Sequence, residues 1–476
     1  MPFRADPFPS GTFGFLPARR LARCKRDCCL VGFCSTVADP IPPSTMDETS
    51  QKIPERAADT TAPRARADVN SRFGLSRTFS ALRHRNYRLF FFGQLVSLIG
   101  TWMQNVAQLW LVYALTGSPL KLGIVSFCAG VPVLAFSLWA GVFADRVPKR
   151  RLILATQTAM MALAFILAAD VFSGTVQWWH VAILAFLLGT TNAFDAPTRQ
   201  AFVVEMVGRK ELTNAIALNS AMFNSARIIG PALAGVTLAA VGAEWCFVLN
   251  GVSFLAVIAG LLLMDVPPYV GAASTESPLR QMREGLGYIR REPVVRPLIG
   301  LVAVSNLFAL GYMALLPAFA RDVLHTGSVG YGFMSAAIGV GALSGALLLA
   351  SLGDYQFKGL MLTIGNLLFP TMVIALSFSR SYHLTLGILV VAGLGFMTQN
   401  ATANTLVQTT VPDQLRGRVM SVYMMVFQGF FPIGSLIAGT MAERFGIPVG
   451  AAFGGTVALA YGLSLLWRSP QLRGLR

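Results

Sequence analysis

Twelve stretches of this chain are apolar over about 20 residues each, the length an α-helix needs to cross the hydrocarbon layer of a bilayer. They fall near 89–115, 122–144, 152–172, 178–197, 213–240, 245–265, 297–320, 329–352, 359–378, 384–407, 419–441 and 447–467. Backbone groups inside a bilayer find no water, so spans must be helices or a closed barrel. No short alternating pattern of apolar and polar residues recurs, which removes the barrel. Only 13% of residues are charged and 54% are hydrophobic, against about 25% charged in average soluble domains. The sequence therefore predicts an all-α, multi-pass membrane protein.

The formal net charge of +16 does not point to nucleic acid once its distribution is read. With the N-terminus placed in the cytoplasm, the inner loops and C-terminal tail hold 18 Lys and Arg. The outer loops hold four: Lys121, Arg321, Arg380 and Arg444. This is the positive-inside bias that fixes orientation, and it places both termini in the cytoplasm. Four scattered histidines and the lack of a Gly-rich phosphate loop argue against an enzyme, an ATP-driven pump or a bound cofactor. Cys24, Cys28, Cys29 and Cys34 lack the paired spacing of zinc ligands, so no metal is expected.

Residues 1–80 are rich in Pro, Arg, Ala, Ser and Thr, without periodicity, and read as a disordered extension. They hold four of the six cysteines and no targeting pattern, and the reading is that the protein starts at Met46. Two bundles follow, 81–265 and 297–468, then a short cytoplasmic tail at 469–476. Gly189, Phe223, Gly230 and Gly235 recur 204 residues later as Gly393, Phe427, Gly434 and Gly439, at equivalent places in the two halves. Between the halves, 266–296 forms an amphipathic cytoplasmic linker. Ser277 and Pro278 suit a helix start and Pro293 a stop. Leu279, Met282, Leu286 and Ile289 share a face, with Arg280, Arg283, Arg290 and Arg291 elsewhere, as on a helix lying on an anionic membrane surface.

The loop after the second span reads Gly141-Val-Phe-Ala-Asp145-Arg146-Val-Pro-Lys149-Arg150-Arg151. It resembles the loop signature of the major facilitator superfamily: a glycine, three residues, Asp-Arg, a turn and a basic cluster. Pro148 stands where glycine is usual, and proline also suits a turn. Gly353-Asp354 with Lys358 looks like a worn copy in the second half. Arg83 to Arg468 resembles one branch of that superfamily, the enterobactin-exporter and macrolide-efflux-like carriers. The likeness rests on Arg85-Asn-Tyr-Arg-Leu-Phe, Gly100-Thr-Trp-Met-Gln-Asn, Asn192-Ala-Phe-Asp-Ala-Pro-Thr-Arg199, Arg227-Ile-Ile-Gly-Pro-Ala-Leu-Ala-Gly235 and Leu415-Arg-Gly-Arg-Val-Met. The resemblance implies two six-helix pseudo-repeats that rock about a central site. It implies a gating role for Gly141, Asp145, Arg146, Lys149, Arg150 and Arg151. A cytoplasmic charge cluster of Asp195, Arg199, Arg416 and Arg418 is expected beside them. Gly230, Pro231 and Gly235 resemble the fifth-span motif of antiporters, though plain small-residue packing looks the same.

Arg227 stands alone as a cation deep in a span, where a charge costs about 2.5–3.5 kcal/mol on insertion scales. It either faces the pathway or is held by a structural partner. Span one carries a stripe of Gln94, Ser97, Thr101, Gln104 and Gln108 with Asn105 beside it. With Asn192, Asn306, Gln399 and Asn400 it is expected to line a neutral polar pathway; the competing reading is interhelical hydrogen bonding. No Asp or Glu sits in mid-span, so a proton is the expected coupling ion but has no assigned residue. The expectation is a monomeric secondary transporter of a bacterial inner membrane, exporting an amphipathic siderophore or drug. Uptake or lysophospholipid flipping by the same fold, and a membrane receptor or scaffold, are the alternatives.

Overall fold

The computed structural model describes residues 79–265, 278–353 and 356–468, without the side chains of 137, 138, 142, 145, 209, 210 and 278. The Met46 start, the tail cysteines, Ser277, Asp354 and the Asp145 side chain therefore lie outside the described residues.

The long elements are α1 (Arg85–Thr116), α2 (Pro119–Arg146), α3 (Lys149–Phe172), α4 (Trp178–Ala240) and α5 (Ala243–Leu262). After the linker helix α6 (Pro278–Arg291) come α7 (Val295–Val323), α8 (Gly327–Leu352), α9 (Lys358–Phe378), α10 (Tyr382–Thr410), α11 (Asp413–Phe445) and α12 (Ile447–Arg468). Local chemistry sets several ends. Gly117 takes a left-handed conformation that closes α1, and Ser118 caps α2 with Pro119 in its first turn.

Eleven helical stretches among the described residues are long and apolar enough to cross a membrane. The remaining expected span, near 213–240, is the second leg of α4. It carries Asn214, Asn219, Asn224 and Arg227. The chain makes no open loop between its fourth and fifth spans; helix runs almost to a single break at Gly208. There φ is 68° and ψ 176°, a backbone that favours glycine.

In the first half α1 packs on α4 and α5, and α3 on the same two helices. In the second half α10 packs on α8 and α9, and α9 on α12. The halves meet along two helix pairs, α2 with α11 and α4 with α8. Small residues let the backbones touch at both. A β-carbon on Gly332 would fall 2.7 Å from the Gly235 Cα, and one on Gly439 would fall 3.1 Å from the Gly123 Cα. Gly235 and Gly439 are partners in the internal repeat, so both crossings use the same position of the repeated unit. Between helices in lipid, such close approach supplies the packing that hydrophobic burial supplies in water.

α7 is not a regular helix. It widens into π-helical turns at Ser305–Ala309 and Phe319–Val323. Such turns in membrane and soluble helices often mark functional positions, and both bear on the site below.

A candidate transport pathway between the halves

Side chains of the second-span loop grip the first half. Arg150 donates to the carbonyl oxygens of Leu261 (2.7 Å) and Leu262 (3.0 Å) at the end of α5, where helix carbonyls lack partners and the dipole favours a cation. Lys149 pairs with Glu205 of α4 at 2.5 Å. Arg146 and Arg151 are exposed, and a β-carbon on Gly141 would meet nothing within 4 Å.

Asp195, placed near a span end by sequence, is 1% exposed. It accepts from Thr156 Oγ1 at 2.7 Å and Gln157 Nε2 at 3.1 Å, both on α3. Arg199, one turn on in α4, pairs with it at 2.6 Å and donates to Gln94 Oε1 on α1 at 2.7 Å. One buried ion pair thus ties α1, α3 and α4. Arg416 and Arg418 do not join it. Arg416 pairs with Asp413 at 2.5 Å and donates to the Gln408 carbonyl at 3.0 Å. Arg418 pairs with Glu284 of α6. The structure splits the expected four-residue cluster into three separate sets, each charge taking a partner near it on its own or the linker helix.

The α1 stripe turns inward to its own half. Gln104 accepts from Asn250 Nδ2 of α5 at 2.6 Å, and Thr101 donates to the Ser97 carbonyl at 2.9 Å. Gln108 is buried, while Asn105 and Asn192 are exposed. In the second half, Gln399 Nε2 donates to Ser305 Oγ in the first π-turn at 2.7 Å. Asn306 and Asn400 donate to the Val302 and Phe396 carbonyls at 2.8 and 3.0 Å. The amide oxygens of Asn306, Gln399 and Asn400 are left buried with no hydrogen-bond partner among the described residues. Buried polar atoms without partners are rare and call for water or ligand.

Arg227 lies on the second leg of α4. Its guanidinium sits over the Trp102 ring of α1, 5.8 Å from the centroid, within cation–π range. It is in electrostatic reach of the Tyr312 hydroxyl on α7, in the other half. Its own backbone packs on α8, where a β-carbon on Gly339 would lie 3.1 Å from the Arg227 carbonyl oxygen. No carboxylate pairs with Arg227 among the described residues. The glycines around it divide their work. Gly230 lies against Trp102 and Ile99 in the same half, while Pro231 and Gly235 meet Gly332 across the seam.

The halves are joined at the face opposite the basic loops. Tyr113 at the end of α1 donates its hydroxyl to Asp322 in the second π-turn of α7. Arg321 donates to the Tyr113 carbonyl at 3.3 Å. Glu443 near the end of α11 accepts from Ser118 Oγ at 2.8 Å and the Leu120 amide at 3.2 Å, at the start of α2. Nearer the basic loops α2, α4 and α11 line a cavity of about 380 Å³, with Val133, Leu134, Pro197, Met420, Met424, Met425 and Gln428 among its walls. Two helical halves joined across a seam, with a cavity walled by helices of both, are the architecture of a membrane transporter.

The comparisons agree. A family model described as transmembrane secretion effector matches residues 76–473. The chain belongs to this family of the major facilitator superfamily. It is 28% identical to the staphyloferrin A transporter of Staphylococcus aureus over 365 residues, covering 76% of this chain and 90% of that one. It is 28% identical to the multidrug efflux pump Tap of Mycolicibacterium fortuitum over 410 residues, 81% of this chain and 96% of the other. Macrolide efflux protein A of Streptococcus pyogenes is 23% identical over 385 residues, with 77% and 92% covered. Among solved structures, an inward-facing bacterial homologue of the human lysosomal transporter Spinster matches with TM-score 0.61 at 13% identity, covering 84% of this chain and 96% of that one. A POT family transporter matches with TM-score 0.65 at 13% identity, with 82% and 96% covered. These likenesses show the fold. The family is one of transporters, and the chain is not an enzyme.

Sequence reasoning missed Thr156, Gln157, Asn250, Glu284, Tyr113, Asp322 and Glu443. Each acts through a partner distant in the chain, so no local spacing announces it.

Proposed function

We propose that this protein exports a small amphipathic molecule that carries an anionic group, across a bacterial cytoplasmic membrane with both termini inside. The observation that carries the reading is Arg227. An ionised group in a span needs compensation, and here the described neighbours offer an aromatic face and a phenol but no acid. A cargo anion completes the set. Trp102 belongs to the first half and Tyr312 to the second, so a cargo bound at Arg227 touches both moving parts. The unpartnered amide oxygens of Asn306, Gln399 and Asn400 offer acceptors for cargo hydroxyls or for water. Asn105 and Asn192, exposed, remain candidates for lining the path, whereas Gln94 and Gln104 serve to hold the first half together.

An amphipathic siderophore or drug with an anionic group would match both the largely apolar cavity of α2, α4 and α11 and the cation at Arg227. Export is favoured over uptake or lysophospholipid flipping because two of the similar proteins are named for efflux. A proton is the coupling ion we favour, without a residue assigned to it. The gating role of the second-span loop, Asp145 included, belongs to the same proposal. Cells expressing the protein and cells lacking it, loaded with one acidic and one cationic fluorescent compound, test the reading. Export predicts lower accumulation of the acidic compound in expressing cells. Equal accumulation of both, with the protein verified in the membrane, contradicts it.

A further inference from the structure

α6 meets two different surroundings. One face lies on α11. A β-carbon on Gly285 would come within 2.6 Å of the Arg418 carbonyl oxygen, and Ile289 is buried with Met282 among Val419 and Val422. Glu284 pairs with Arg418 and fixes the rotation of the helix. The four apolar residues expected to share one face are thereby divided: Met282 and Ile289 go to the bundle, Leu279 and Leu286 do not.

Beside the packed face runs a second stripe, Leu279, Arg283, Leu286 and Arg290, at helical spacing i, i+4, i+7 and i+11. All four are exposed, Leu279 at 57% and Leu286 at 38%. Neither arginine has an ion-pair partner among the described residues. Such a stripe is too apolar for bulk water and too charged for lipid tails. It suits the boundary between them, where arginine stems cover apolar surface and their heads reach anionic groups. The helix stands at that level, because α7 enters its span four residues after α6 ends.

We propose that this stripe docks on the anionic phospholipid headgroups of the leaflet at the basic face. Through Gly285 and the Glu284–Arg418 pair, the docked helix steadies the start of α11, which lines the cavity. The inference rests on the orientation given under the proposed function and not on cargo or direction.

The test uses the full chain with Leu286→Cys, its six native cysteines replaced, labelled with an environment-sensitive fluorophore. It is placed in nanodiscs of phosphatidylcholine alone or with phosphatidylglycerol. Phosphatidylglycerol is expected to raise quenching by spin-labelled lipid and lower quenching by aqueous iodide. Arg283→Gln with Arg290→Gln should cut that gain by at least about fivefold, the scale of one basic residue at such a surface. Arg283→Lys with Arg290→Lys should keep it, which separates loss of charge from loss of fold. Iodide quenching that ignores phosphatidylglycerol, or a Gln pair that keeps the gain, overturns the proposal. Because the probe reads helix position without transport, a failure of the export reading leaves this outcome distinguishable.

Discussion

Tyr113 and Asp322 are 209 residues apart in the chain and joined by one hydrogen bond, phenol to carboxylate, across the seam between the halves. The π-turn in α7 shifts the register of its last residues and brings Asp322 to the end of α1. With Arg321 bonded back to the Tyr113 carbonyl, this corner closes the face opposite the basic loops, the outer face in the proposed orientation. Asp322 is 48% exposed on its side chain, so solvent brings the bond below the charge-assisted range to that of an ordinary hydrogen bond, about 1 kcal/mol or roughly a fivefold change in population. Tyr113→Phe and Asp322→Asn are each expected to raise, by that factor, the population open at the face opposite the basic loops. Distance measurements between spin labels on the outer ends of α1 and α7 read it.

Glu443 does the parallel work at the other corner. It accepts from Ser118 and from the Leu120 amide at the start of α2, where the positive end of a helix favours a carboxylate by about 0.3–1 kcal/mol. Glu443→Gln is expected to weaken the seam by that amount, and Glu443→Ala by somewhat more. The double variant with Tyr113→Phe should depart from simple addition, since Glu443 lies within electrostatic reach of Tyr113. Labelling of an outer-face cysteine by a membrane-impermeant thiol reagent measures the opening.

The glycine crossings make a steric prediction. A methyl on Gly332 would lie 2.5 Å from the Pro231 carbonyl oxygen, and one on Gly439 2.7 Å from the Pro119 carbonyl oxygen. Backbone cannot yield there as a flexible side chain does. Gly332→Ala and Gly439→Ala should insert normally yet fail to close the face opposite the basic loops, lowering transport at least about tenfold if closure loses about 1.4 kcal/mol or more. Transport near the wild-type rate at equal protein level would show that the crossings are slack.

The Asp195–Arg199 pair predicts an asymmetry. Arg199→Ala strands a buried carboxylate, which typically costs about 3–5 kcal/mol. Asp195→Asn with Arg199→Gln keeps the hydrogen bonds to Thr156, Gln157 and Gln94 while removing both charges, and should recover most of the loss. Thermal unfolding in detergent compares the variants. A double variant as unstable as Arg199→Ala would contradict the assignment.

What the sequence disclosed follows from the range of each interaction. The spans were legible because apolarity is local and the bilayer sets their length. Arg227 was legible as a lone cation in an apolar run, but Trp102 and Tyr312, its neighbours, lie on other helices. Asp195 with Arg199 was readable as a one-turn pair; its burial was not, because burial is decided by α1 and α3. The α6 face was read as one apolar stripe, and only contact with α11, fixed by Gly285 and Glu284, shows that it is shared between protein and surroundings. The break at Gly208 replaced an expected loop because neighbouring sequence keeps helical backbone on both sides of it.

The most direct test of the account compares transport by Arg227→Gln and Arg227→Lys in proteoliposomes, using one acidic and one cationic substrate, normalised to inserted protein. Arg227→Gln is expected to lose the acidic substrate and largely keep the cationic one, while Arg227→Lys retains part of the acidic transport. Normal transport of both substrates by Arg227→Gln would contradict it.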